Sequence, residues 1–356
     1  MEEISKDRLK WHGRYLDYQD IRYFSFSSSG FSFKARGKKI DITLVSDCED
    51  FPENKWARVG IYLWEGYDDS IENLPKSITK DVILSKKETK LTIFEDSCDK
   101  NICVWVVKLS EAKHASSGLK SIEIDGCVIN DLGPSYPQEK IEVIGDSITC
   151  GYGIEGSMKD LIFTTKQERA DLSYAFLLAR KMKAELSCVS WSGMGLTSHY
   201  IDEESEVPDI ELLMGNLWPY TDRAMCYRLG IENQIWDEKN FSPDKVIINI
   251  GTNDASFVRN KEDRKLVFIA FYRQLLEAIH RRNPLSKIYC AYGVMERSLG
   301  DSIKKAISLF KDSFPKAFVE YIPLELQKEE DGIAMNGHPS AITQEKICET
   351  IYKAIK

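Results

Sequence analysis

The chain has 356 residues, 43% of them hydrophobic and 29% charged, the balance of a water-soluble globular protein with room for two domains. A formal net charge of −8 argues against a nucleic-acid partner or an anionic membrane surface. No run approaches the roughly eighteen apolar residues of a membrane-spanning helix, so no membrane association is expected.

Residues 1–132 read as all-β. Tyr23–Phe26, Phe31–Ala35 and Ile40–Leu44 alternate apolar with polar residues, the period of a half-buried strand, and Ser-Ser-Gly and Gly-Lys-Lys stand between them as turns. Val59–Trp64, Val82–Leu84, Leu91–Phe94, Val104–Val107 and Ile122–Ile124 continue the series, which predicts a β-sandwich. Residues 133–139, with Gly133, Pro134 and Pro137, read as a linker. From 140 to 356 strands alternate with helices. The strands are Ile141–Ile144, Leu186–Ser190, Val246–Ile250, Ile288–Tyr292 and Phe318–Ile322. The helices are Asp171–Met182, Glu262–Arg282, Asp301–Phe310 and a last one capped by Ser340. That alternation predicts a parallel sheet covered on both faces, a three-layer α/β/α domain. Residues 196–235 fit the scheme poorly, and long loops are often functional.

Four short blocks sit where chemistry is favoured. Gly145-Asp146-Ser147 follows the first strand of the α/β half, Trp191-Ser192-Gly193 the second and Gly251-Thr252-Asn253-Asp254 the third, while His338-Pro339-Ser340 precedes the last helix. Open α/β sheets bind ligands at the carboxyl edge of their strands. A serine hydroxyl there needs a base, and the tetrahedral oxyanion needs donors already aimed at it. Ser147 supplies a nucleophile and its own N–H, Gly193 a second N–H, Asn253 a side-chain amide and His338 the base. Asp146 and Cys150 read as structural. Nine cysteines without a CxxC pair read as reduced thiols, and five scattered histidines without an HxxxH pair give little for a metal; no metal or cofactor is expected. With the acidic, polar opening Met1–Asp7, this leads to the expectation of a cytoplasmic protein without a secretory signal.

These blocks resemble those of the SGNH (GDSL) hydrolases, in which the Ser, Gly, Asn and His have the roles just assigned. Trp11-His12-Gly13-Arg14, the β-rich first domain, the stretch from Lys140 to Gly153 and Ser190–Gly193 further resemble carbohydrate esterase family two. That resemblance implies a jelly-roll domain joined to an SGNH domain. It also implies removal of O-acetyl groups from plant polysaccharides such as xylan and mannan, here from acetylated oligosaccharides. Where many SGNH enzymes place an aspartate three residues before the histidine, this chain has Met335, and two residues before it has Asn336. A Ser147–His338 dyad is therefore predicted, with the imidazole held by a main-chain carbonyl or by Asn336, and with Asp331 as the alternative acid. Tyr200, Trp218 and Tyr220 of the long segment are candidates to line a sugar cleft, because sugar rings stack on aromatic faces. A lipase or thioesterase of the same superfamily, or a carbohydrate-binding protein with an inert site, are the competing functions.

Overall fold

The structure, a computed structural model, describes residues 2–129 and 138–356, so residues 133–137 of the expected linker lie outside the described part. The first half contributes nine antiparallel strands: β1 (Glu2–Glu3), β2 (Lys10–His12), β3 (Leu16–Tyr18), β4 (Ile21–Tyr23), β5 (Gly30–Val45), β6 (Arg58–Glu65), β7 (Lys80–Ile83), β8 (Glu88–Lys108) and β9 (Gly118–Val128). They join in one continuous sheet of order β3-β4-β9-β5-β8-β6-β7, with β1 on β9 and β2 on β5.

Two pairs of expected short strands prove to be two long ones. Phe31–Ala35 and Ile40–Leu44 both belong to β5, and Leu91–Phe94 and Val104–Val107 both belong to β8. The register slips between Gly37 and Lys39. Such an irregularity reverses which residues face inward. Phe31, Phe33 and Ala35 before it, and Ile40, Ile42 and Leu44 after it, consequently enter the same apolar core. Ile93 and the trio Ile102, Val104 and Val106 do likewise on β8. The sheet thus folds over a single core that a Gly-Lys-Lys turn signal had divided.

The second half is a five-stranded, all-parallel sheet of order β11-β10-β12-β13-β14, where β10 is Lys140–Gly145, β11 Glu185–Ser190, β12 Lys245–Asn249, β13 Lys287–Tyr292 and β14 Val319–Pro323. Its helices are α1 (Ser147–Cys150), α2 (Tyr174–Met182), α3 (Met214–Leu217), α4 (Arg223–Leu229), α5 (Thr252–Val258), α6 (Glu262–Arg282), α7 (Gly300–Ser313) and α8 (Ala341–Ile355). Alternate strand residues pack on opposite layers. Ile141, Val143 and Ile247 meet Phe176 and Leu178 of α2 and Ile347 and Ile351 of α8. Ile144, Val246 and Ile248 meet Phe268 and Tyr272 of α6 and Ile303 and Phe310 of α7. Both faces are covered, as a parallel sheet requires.

The two halves are locked by ions as well as by apolar contact. Arg14, in the loop after β2, places its guanidinium 2.9 Å from the Glu142 carboxylate on β10, both side chains almost wholly buried. The same guanidinium donates to the carbonyls of Trp218 and Tyr220. Arg58 of β6 pairs with Asp81 and with Glu155, and Tyr62 donates to Asp171 at 2.7 Å.

Candidate active site

Register brings three of the four blocks to one edge. Gly145, the last residue of β10, pairs with Ser190 on one side and Asn249 on the other. Ser147 follows Gly145 by two residues, Gly193 follows Ser190 by three, and Asn253 follows Asn249 by four. Further bonds tie the turns together: Trp191 N–H donates to the Gly145 carbonyl at 3.3 Å, and Asn253 Nδ2 donates to the Met194 carbonyl at 2.9 Å.

Ser147 is the first residue of α1. Asp146 caps that turn, accepting from Ile148 N–H at 3.0 Å, and burial pushes its carboxyl up to about 7. Asp146 is thus the structural acceptor expected. The Ser147 N–H and the Gly193 N–H have no acceptor among the described residues. The second Asn253 Nδ2 contact, to Asp146 Oδ2, is long at 3.4 Å, so the amide is only loosely committed on that side. The Ser147 N–H, the Gly193 N–H and the Asn253 amide thus stand on the same strand edge as the Ser147 hydroxyl, donors of the kind a tetrahedral oxyanion needs. Gly193 adopts φ +85°, a backbone state that disfavours a side chain.

His338 closes the site. Its Nε2 lies 2.8 Å from Ser147 Oγ, and its Nδ1 lies 3.1 Å from the Met335 carbonyl. Nδ1–H donating to that carbonyl leaves Nε2 free to accept the serine proton. The Met335 carbonyl also accepts the backbone N–H of His338, and Met335 is pinned from behind: a Cβ on Gly153, at φ +68°, would come within 2.9 Å of its side chain. The imidazole ring faces Tyr152 at 4.5 Å, and Tyr152 stacks on Phe163 at 4.2 Å. Burial lowers the His338 pKa to about 4, against the raising effect of its backbone partners.

The two side chains expected as alternative orienters lie elsewhere. Asn336 donates to Tyr152 Oη at 3.0 Å, and the Asp331 carboxylate takes Lys346 Nζ at 2.7 Å on each oxygen. The main-chain alternative is the one found. Of the aromatic candidates, Tyr200 is 59% exposed, and its N–H donates to the Gly193 carbonyl at 2.9 Å, which puts it at the rim of the site. Trp218 is a correction: it is 1% exposed and donates through Nε1 to Glu142 at 2.8 Å, near the start of β10. Tyr220 is a second correction, since it lies with Arg14 and under the Arg223 guanidinium at that same end. Glu142 lies three residues, roughly 10 Å, before the end of β10 at Gly145, and Ser147 lies beyond that end. Its large apolar area decided the outcome for Trp218, which lies in the core, whereas Tyr220 is half-buried beside charged groups.

Sequence reasoning missed several supporting groups. Asp254 accepts from the N–H groups of Leu196 and Thr197 and so holds the segment after Gly193. Glu111, Lys113 and Glu168 surround the back of the Trp191–Gly195 turn. Asp254 stands inside a quoted block and was findable; the others come from loops without a motif. Glu111, Cys150 and Glu168 bring their ligand-type atoms within 4.8 Å of one another, and burial pushes the Glu168 carboxyl and the Cys150 thiol up.

Residues 143–319 match the GDSL-like Lipase/Acylhydrolase family. The chain is thus homologous to the SGNH (GDSL) hydrolases. Within that superfamily its homology is to carbohydrate esterase family two. It is 32% identical over 227 residues to the cellulase/esterase CelE of Acetivibrio thermocellus, a match spanning 63% of this chain and 26% of that protein. It is 28% identical over 235 residues to an acetylxylan esterase/glucomannan deacetylase of Cellvibrio japonicus, spanning 64% of this chain and 59% of that one. The matches thus span between a quarter and three fifths of these relatives. In fold, the chain superimposes on the acetyl xylan esterase Est2A of Butyrivibrio proteoclasticus with a TM-score of 0.84 at 19% identity, covering 100% of this chain and 98% of the other. A family two carbohydrate esterase from Clostridium thermocellum, solved with cellohexaose, gives 0.79 at 24% identity and covers 98% of both.

Proposed function

We propose that this chain is a serine acetylesterase that removes acetyl groups from acetylated plant oligosaccharides of mannan or xylan type. The observation that carries the reading is the relay from Ser147 Oγ through the His338 imidazole to the Met335 carbonyl. In the first step Ser147 Oγ attacks the acetyl carbon while Nε2 takes its proton. The oxyanion is received by the N–H groups of Ser147 and Gly193 and by the Asn253 amide. Collapse passes the proton to the departing sugar hydroxyl and leaves an acetyl-serine. Water, deprotonated by the same nitrogen, then releases acetate. No metal or cofactor has a part in this sequence of steps.

The names of the curated relatives support the substrate class, and so does the exposed Tyr200 at the rim. A cytoplasmic setting belongs to the same proposal. Nine free cysteines, seven of them buried, support it.

Acetate release from acetylated manno- and xylo-oligosaccharides by the protein and by Ser147→Ala is the test. Release by the first and none by the second is expected. Equal, slow release by both would make the chain a binding protein, and preference for long-chain nitrophenyl esters would make it a lipase.

A further inference from the structure

The loop between β8 and β9 belongs to the first half of the chain but ends inside the second. Two of its residues grip one residue of the oxyanion turn. Glu111 Oε2 accepts the Ser192 N–H at 2.7 Å, and Lys113 Nζ donates to the Ser192 carbonyl at 3.1 Å. The loop is itself anchored: Ala170 N–H donates to the Leu109 carbonyl, and Glu111 N–H donates to Glu168 Oε2.

The Ser192 carbonyl and the Gly193 N–H are parts of one peptide group. That group is planar and trans, so the two bonds point in opposite directions. Whatever holds the oxygen therefore aims the hydrogen. The turn is tied to its neighbours at Trp191 and at Met194, on either side of this peptide, and Gly193 at φ +85° has little intrinsic bias against rotation. The adjoining peptides are held too, by Glu111 at the Ser192 N–H and by the Tyr200 N–H at the Gly193 carbonyl, so between these fixed neighbours the contact at the oxygen sets the plane of the 192–193 peptide.

We propose that Lys113 is a positioning residue for the oxyanion hole, holding the 192–193 peptide so that the Gly193 N–H faces the acyl oxygen, with Glu111 fixing the preceding peptide. The ammonium adds a second effect, since a cation on a carbonyl polarises the peptide and strengthens its N–H as a donor. The first half of the chain thus completes the catalytic machinery of the second. The inference rests on the esterase reading above.

Lys113 is exposed, so its replacement leaves packing intact. Hydrolysis of 4-nitrophenyl acetate by the full chain, Lys113→Met, Lys113→Arg and Ser147→Ala is the experiment. For Lys113→Met, kcat and kcat/KM are expected to fall together by about tenfold or more, with KM and the melting temperature unchanged. Lys113→Arg, which keeps a cationic donor, should recover most of the loss. An unchanged kcat, or a raised KM at unchanged kcat, overturns the inference while leaving the esterase reading intact. An unaltered protein no more active than Ser147→Ala overturns both.

Discussion

His338 works without a carboxylate behind it. Its Nδ1–H meets the neutral Met335 carbonyl, which fixes the tautomer and adds no negative charge to stabilise the imidazolium. With burial the larger influence, the pKa settles at about 4. The free enzyme should therefore keep its neutral base well below the usual histidine range, and kcat/KM should fall on acidification with a midpoint of about 4; a pH–rate profile measures this. Stability follows the same sign. The folded pKa lies below the ordinary 6.5, so the unfolded chain binds more protons in that window, and stability is lost as pH falls from about 6.5 through about 4. Asp331 has no share in this: its carboxylate is spent on Lys346, and Asp331→Ala should leave kcat unchanged in an esterase assay. The side chains that meet at the candidate site were legible in the sequence because each stands in a short block at a turn. The carbonyl that orients the ring was foreseen as a kind of group but not as a residue, since any residue can supply one. Trp218 and Tyr220 misled because an aromatic residue in a long segment has the same signature whether it meets a sugar, a core or a neighbouring cation.

Among the elements, α8 most directly supports the site. Ser340, two residues after His338, accepts the Thr343 N–H at 3.3 Å and donates to the Asp331 carbonyl at 2.7 Å, so it caps the helix and closes the loop in front of it. Ser340→Ala should lower stability by about 1 kcal/mol, read from denaturant unfolding. The strand–helix alternation of the second half was readable, to the residue for Glu262–Arg282 and within three residues elsewhere, because buried parallel strands and amphipathic helices differ so plainly in period, while the short helices α3, α4 and α5 were not read. The long strands of the first half were not. Alternation detects a strand only while its phase holds, and one slipped register in β5 turns a continuous element into two apparent ones.

At the scale of the whole molecule, the N-terminal sheet and the parallel sheet share buried charge. Arg14 and Glu142 are each other's counter-ions in a site that water does not reach, and burial depresses the Arg14 pKa even with that partner present. Breaking such a pair leaves one ion unsatisfied. Arg14→Met should destabilise the chain by about 3–5 kcal/mol, visible as a large fall in melting temperature. The intact protein should melt in a single transition seen alike by near-ultraviolet and far-ultraviolet circular dichroism. Composition showed two architectures joined by a Pro-Gly stretch, but it carried no sign that they are welded, because a contact between residues 128 positions apart leaves no local pattern.

That separation bears on how the protein is made. On the ribosome Arg14 emerges more than a hundred residues ahead of the strand bearing its anion, and the loop that steadies Ser192 is complete long before Ser192 exists. Until β10 follows, that cation has no partner, so the N-terminal sheet is complete only when the second half arrives. A permuted gene that reversed the order would bring the anion first and the cation last, and the same buried pair would still have to close before either half was finished.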